Sequence, residues 1–424
     1  MNGYKTKTIY SLTLFLALIF ICPLKAKAEG SKPIWPDTVK VGGEFRTRVE
    51  GQFNYDLDSS TSATDDVFVL LRTRVYLDLN PGEGVKIFGM FQDSRTLGQN
   101  TMAVFKTPSK TTWYQGYAQF VTKGKLSTRI RAGRQELKYG TERLIGAFNW
   151  GNLGRSFDAF VIRVEDPTFW ADFFGARIKL PNGKEAQLAA GYSHIKKFFG
   201  GIMEPYVIVY HGNTIGRNNG ELSIVTMGTR IKGKKGVHWD YDFEGAYQVG
   251  KEDGNLHSAY ALHGGFGYTF TPKRRPRLAF IFNFASGDKD PQTGTVTLFN
   301  NILPTNHGKY GYIDFFSWRN MYDLSVNFSI FPVKFMKAYL AYHAFFLPEP
   351  ANGVFAASGK QFRAGAPGAS SFAGQEFDVL FKFTPWKYFD SLVGYSIFFP
   401  GQFFADTGIS NIAQFFYAQI RFHY

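Results

Sequence analysis

Cysteine is almost missing from this chain: 424 residues hold one, Cys22, and it lies in an N-terminal apolar stretch. The remainder is therefore denied disulfides, cysteine-ligated metals and thiol catalysis. Long apolar runs are missing too. After the N-terminal stretch, no segment is long enough to cross a bilayer as a helix, and the mean hydropathy of −0.18 argues against a helical membrane protein. No Pro/Ser-rich linker and no shift in composition divides the chain, so one domain is expected although the length would accommodate two or three. The eight histidines lack a metal-ligand spacing such as His-x-x-x-His. No Gly-x-Ser-x-Gly nucleophile motif is present. Acids are outnumbered, 34 against 48 Lys and Arg, for a formal charge of +14.

Lys5 and Lys7 precede the apolar run Leu12 to Ile21, and Ala26-Lys27-Ala28 follows as a small-x-small cleavage signal. This order reads as a secretory signal peptide over residues 1–28, cut after Ala28. An uncleaved anchor is the alternative, but the run is short and no second span follows. The residues before Cys22 are too bulky for a convincing lipoprotein signal. The leader holds four Lys and no acid, which leaves the mature chain, 29–424, near +10. Such charge raises the prospect of nucleic-acid binding, yet export to the cell envelope argues against that partner.

Apolar and polar residues alternate in short stretches to the last residue. Aromatics make up 18% of the chain, enough for girdles at two membrane interfaces. Strands are expected near 39–53, 66–80, 85–93, 111–122, 126–136, 157–166, 169–180, 185–195, 202–213, 221–232, 237–249, 256–271, 277–285, 320–331, 335–346, 374–384, 387–399 and 411–423. Connections after even-numbered strands are mostly short, as in Pro81-Gly82-Glu83-Gly84; the long ones, near 54–65, 94–110, 137–156, 286–319 and 347–373, follow odd-numbered strands. The expected fold is all-β: an antiparallel transmembrane β-barrel of about 18 strands with short periplasmic turns and long extracellular loops, in a bacterial outer membrane. The least regular turn is Lys196 to Gly201. The last strand ends with Phe416, Ala418, Ile420, Phe422 and Tyr424 on one face, a pattern resembling the signal read by the outer-membrane assembly machinery.

A lipid-facing arginine at mid-membrane costs roughly 2–4 kcal/mol. Arg46 and Arg48, alternating with Phe45, Thr47 and Val49, therefore face the lumen. So do Arg72 and Arg74 between Leu71 and Val75, Arg129 and Arg131 around Ile130, and Arg163 between Ile162 and Val164. Arg177, Lys179 and Arg277 are expected to join them. Asp240, Asp242 and Glu244, and Glu376 and Asp378, either pair with these arginines across the lumen or form a separate acidic wall. Ion pairing that merely keeps the barrel wet competes with solute contact at every single arginine. As a set they suit carboxylates, which guanidinium groups bind bidentately.

Gly133-Arg134-Gln135-Glu136-Leu137-Lys138-Tyr139-Gly140 is followed by Arg143, Trp150 and Gly154-Arg155-Ser156-Phe157-Asp158, then by Gly287-Asp288-Lys289-Asp290-Pro291, Pro304-Thr305-Asn306-His307, Tyr310-Gly311-Tyr312, Asp314 and Trp318-Arg319-Asn320. Together these resemble the alginate-export family of outer-membrane barrels over nearly the whole mature chain. The resemblance implies a monomeric 18-stranded barrel whose arginine-rich constriction passes an acidic polysaccharide or similar anion. Arg134 lies on the outward face of its strand, so a bulge or a position near the outer rim is expected. Arg143 and Arg155 follow in the next loop, placed to fold over the pore, and the loop from Gly287 to Asn320 should pack into the mouth because its aromatics suit burial. The alginate-exporting member carries a long periplasmic lid, whereas only short turns are found here, which favours a simpler anion channel.

Asp288 and Asp290 invite a calcium site, but calcium needs six or more oxygen ligands, and salt bridges within the loop are preferred. His307 with Asp288 or Asp314 is the only arrangement that hints at an outer-membrane enzyme. His211, His263 and His307 read better as isolated strand or loop residues. The expectation is a passive, anion-preferring channel with no catalytic residues and no cofactor; a general or carboxylate-selective uptake porin is the alternative. Arg46, Arg48, Arg72, Arg74, Arg129, Arg131, Arg134, Arg143, Arg155 and Arg163 are the candidate pore residues.

Overall fold

The computed structural model describes residues 38–60, 64–180, 183–213, 220–289 and 294–424. The leader expected over 1–28 lies outside them. Long alternating strands run almost the length of the described chain: β1 Val39–Phe53, β2 Asp66–Gly82, β3 Val85–Leu97, β4 Lys110–Thr122, β5 Ser127–Gln135, β6 Phe157–Glu165, β7 Phe169–Lys179, β8 Glu185–Phe198 and β9 Gly201–Asn213. The second half adds β10 Glu221–Lys235, β11 Trp239–Glu252, β12 Asn255–Thr269, β13 Arg277–Ala285, β14 Met321–Val333, β15 Met336–Phe346, β16 Phe372–Trp386, β17 Phe389–Pro400 and β18 Ala413–His423. Each pairs antiparallel with its sequence neighbours. β1 closes the ring against β18, in register from Glu44 opposite His423 to Phe53 opposite Gln414. This is a closed 18-stranded barrel of the bacterial outer membrane, and closure satisfies every strand edge, as a lipid environment demands.

Period-two alternation places the two faces. Ile87, Phe91, Trp113, Phe120, Phe160 and Phe173 are exposed on the lipid side, while Arg46, Arg48, Arg72 and Arg74 are buried inside. On β18, Phe416, Ile420 and Phe422 are exposed, as is Tyr424 just after it, and Phe415 and Tyr417 are buried. The eight connections at the end holding both barrel termini are short: 83–84, 123–126, 166–168, 199–200, 236–238, 270–276, 334–335 and 387–388. These are the periplasmic turns. The irregular one resolves by extending β8 through a register shift between Lys196 and Phe198, so the turn is only Phe199-Gly200. Lys197 (φ 61°) and Phe199 (φ 43°) take left-handed backbone there, which a purely alternating reading misses.

The barrel is filled from its own external loops. Phe299, Tyr310, Phe315, Phe316 and Trp318, all from the 286–320 loop, are almost wholly buried. They pack with wall residues such as Phe345 (centroid to Phe316 3.9 Å) and Phe398. The 136–156 loop enters from the opposite side of the wall. The two meet through a parallel bridge between Ile145 and Leu303. Burying aromatics against one another repays the loss of loop freedom at roughly 25 cal/mol per Å² of apolar surface.

Candidate functional site

The lumenal arginines fall into two groups with different partners. The upper group, from β1 and β2, grips the inserted 136–156 loop. Arg46 donates to the carbonyls of Asn149 (2.9 Å) and Trp150 (3.3 Å) and to Asn152 Oδ1 (3.0 Å). Arg48 donates to the Trp150 carbonyl (2.9 Å) and to Glu50 (2.6 Å). Arg72 reaches the carbonyls of Asn149 and Gly151 and the Glu44 carboxylate. Arg74 bonds Gln92 and Asn149 Oδ1 and lies over the Tyr114 ring. These four are buried and held by the protein's own oxygens, so in this arrangement they organise the plug.

The lower group lies nearer the periplasmic turns, where the loops leave space. Arg129, Arg131 and Arg163 line a cavity of about 270 Å³ together with Gln115, Glu136, Tyr139 and Asp172. Arg163 makes a bidentate pair with Asp172 (2.5 and 2.7 Å) and rests 4.1 Å from the centroid of Trp170. Arg129 pairs with Glu165 at 3.3 Å. Arg131 is different. It donates twice to Gln119 Oε1 (3.0 and 2.6 Å) and lies over Tyr117, but it makes no ion pair among the described residues. A guanidinium fixed by an amide and an aromatic ring, with no carboxylate, keeps its full charge for an incoming anion.

Arg143 and Arg155 fold inward with their loop as expected, but into the plug. Arg143 lies 3.6 Å from Glu244 and 2.9 Å from His263 Nδ1. Arg155 donates to the carbonyls of Gly146, Leu303 and Pro304 and so ties the two inserted loops together. His307 stacks on Trp150 at 3.8 Å and 9° and bonds Asp314 at 2.9 Å. Glu376 holds the other loop, accepting the N–H groups of Tyr312 (2.6 Å) and Ile313 (2.9 Å).

Arg134 is not in the lumen. It projects outward near the extracellular end of β5, half exposed, and pairs bidentately with Asp158 of β6 at 2.7 and 2.9 Å. The register of β5 and β6 is unbroken there, so rim position and a mutual ion pair accommodate the charge. Arg177 and Lys179 are corrected likewise. They lie on the exposed side of β7 with Phe173, and Arg177 pairs with Glu185; the interior positions of that stretch are Phe174, Ala176 and Ile178, which pack under the loops.

Arg277 does face inward, paired with Asp240 at 2.6 Å. Asp242 pairs with Arg230, which also bonds Glu204 at 2.9 Å. Arg230 belongs to the inner wall and was legible from its place between Thr229 and Ile231 in an alternating strand. The acids thus pair mainly with arginines on the same stretch of wall, and Asp378 instead meets Ser396 and His343.

For the calcium candidate, Asp290 lies outside the described residues. Asp288 is buried beside Asn352, its N–H and carbonyl both bonded to that side chain. Among the described residues no group of three or more His, Cys, Asp or Glu is arranged to hold a metal.

No curated protein sequence matches the chain. Several solved barrels share its fold. OpdK from Pseudomonas aeruginosa aligns with a TM-score of 0.60 at 10% identity, covering 91% of this chain and 98% of that one; the same figures hold for OpdK solved with vanillate. OccAB1 from Acinetobacter baumannii aligns at 0.61 and 12%, covering 91% and 97%. The family model described as alginate export matches residues 37–418. With that match running from ahead of β1 into β18, the chain belongs to the alginate export family of outer-membrane β-barrel channels.

Proposed function

We propose that this channel passes anionic solutes passively, with an acidic polysaccharide or oligosaccharide such as alginate as its substrate, and that it works as a monomer delivered by the outer-membrane assembly machinery. The observation that carries the reading is Arg131. It faces a cavity of about 270 Å³ beside Arg129 and Arg163, and it alone of the three makes no ion pair among the described residues. A carboxylate arriving there gains charge-assisted hydrogen bonds worth about 1.5–3 kcal/mol each. Tyr117, Trp170 and Gln119 hold the guanidinium planes in place, so little side-chain freedom is lost on binding. Passage requires such a site to be favourable enough to enter and weak enough to leave, which a single uncompensated cation among paired ones supplies.

A carboxylate-selective uptake porin is the second reading, favoured by the fold shared with OpdK, a structure of which was solved with vanillate. Single-channel current in planar bilayers separates the two. Anion selectivity with block by oligomannuronate, lost in Arg131→Ala, supports the saccharide channel. Block by small aromatic carboxylates without block by uronates supports the porin. Cation selectivity overturns both.

A further inference from the structure

The two ends of the barrel differ in charge. The eight periplasmic turns hold seven cations, at Lys123, Lys125, the run Lys273-Arg274-Arg275, Lys334 and Lys387, against two acids, Glu83 and Asp166. All seven cations are exposed, and none makes an ion pair among the described residues. Just inside this rim, Lys337 of β15 and Lys382 of β16 stand directly opposite each other in register. On the alternating pattern both share the inward face with Tyr339 and Leu380. Like charges directly opposed across a sheet are destabilising, and neither lysine has a carboxylate partner among the described residues. Lys337 and Arg275 also share one aromatic neighbour, lying 6.0 and 5.8 Å from the Phe331 ring. Lys337, Lys382 and Arg275 are therefore held together at the mouth with no ion-pair partner among the described residues.

We infer that the periplasmic mouth is a capture collar for a polyanionic chain, with Lys337, Lys382 and Arg275 as its inner contact, and that the collar gives the pore a preferred side of entry. This rests on the acidic-saccharide reading and adds to it a place of first contact and a direction of loading. A mouth lined with one sign of charge focuses the field and raises the on-rate of an opposite charge by 10 to 10³. A flexible polyuronate presents many carboxylates to such a ring, so its capture depends on salt. The Debye length falls from about 10 Å at 0.1 M to 3 Å at 1 M, and the advantage of the turn side should fade across that range. Arg131 lies farther in and decides residence after the chain has entered.

The test is single-channel block by oligomannuronate added to one compartment at a time, with orientation read by modifying a Lys184→Cys tag from one side using an impermeant thiol reagent. At 0.1 M salt the association rate from the turn side should exceed that from the loop side by about tenfold or more, and the difference should shrink at 1 M. In Lys337→Gln/Lys382→Gln the turn-side rate should fall severalfold with the dissociation rate unchanged. Arg131→Ala should do the reverse, shortening residence. Equal rates from both sides, or a collar variant with unaltered association, overturns the collar while leaving the saccharide channel standing. A variant that loses co-purified anionic phospholipid but keeps its uronate on-rate assigns the lysines to the membrane and likewise overturns it. No uronate block from either side overturns the underlying saccharide reading.

Discussion

The guanidinium of Arg48 lies 3.6 Å from the centroid of the Trp150 ring, and the same group donates to the Trp150 carbonyl. A wall arginine from β1 thus holds a residue more than a hundred positions away against the inner wall of the barrel. His307 packs on Trp150 as well, so this contact joins wall, first loop and second loop.

Trp150→Ala should therefore loosen both loops. The loss of a desolvated cation–π contact, about 2 kcal/mol, adds to that of a buried aromatic. Single-channel conductance should rise with more open-state noise, while the barrel keeps its β-sheet circular dichroism. Unchanged conductance would show that the loops hold without this contact.

Arg131→Ala and Arg163→Ala should separate function from stability. Arg131 has no carboxylate partner to strand, so its loss should weaken uronate block about tenfold with a near-normal melting temperature. Arg163→Ala leaves Asp172, 3% exposed, without its cation. Breaking a buried pair costs about 3–5 kcal/mol, and the low end applies because Tyr139 still donates to Asp172. Thermal melting in detergent checks both.

Glu376→Ala should release the second loop. It leaves the N–H groups of Tyr312 and Ile313 without their acceptor, at about 1–3 kcal/mol for each group that stays buried. Limited proteolysis should then cut within 286–320 faster than it cuts the wild type.

Arg134→Ala is the selectivity control. Its ion pair with Asp158 faces outward at the rim and is half exposed, so anion preference and uronate block should match the wild type. A changed reversal potential would place Arg134 in the conduction path.

Lys309, on the second inserted loop, is pushed down to about 8, from burial first and the neighbouring Arg143 second. Its folded pKa lies below the ordinary lysine value of 10.5. Between those two values the unfolded chain binds more protons, so stability should rise as pH climbs from about 8 to 10.5. The lumen loses a positive charge over the lower part of that window. Anion preference should fall between pH 7 and pH 9, and Lys309→Gln should abolish that fall, as reversal potentials in a salt gradient will report.

The strand count and the closure of the ring were readable in the chain because alternation is local: each strand declares its two faces through adjacent residues. The direction of Arg46, Arg48, Arg72, Arg74, Arg129, Arg131 and Arg163 followed from the same rule. It failed at Arg177 and Lys179, where the inner face turns apolar to meet a loop, so that the charged positions are the outer ones. Parity names two faces, and which is inner depends on what fills the barrel there.

Alternation along the chain was enough to read an all-β outer-membrane barrel, because period-two order assigns each strand two faces without any distant contact. The tertiary structure decided which arginines remain open to a solute. That choice depends on where the loops go: the first bond of Arg46 spans 103 positions to Asn149, and Arg155 reaches Leu303 across 148. Such contacts follow from closure of the ring around the inserted loops, which no window of neighbouring residues contains. The β1 and β2 arginines are consumed by loop carbonyls, and Arg131 stays open because the nearest acids are taken by other cations, Asp172 by Arg163 and Glu136 by Lys138.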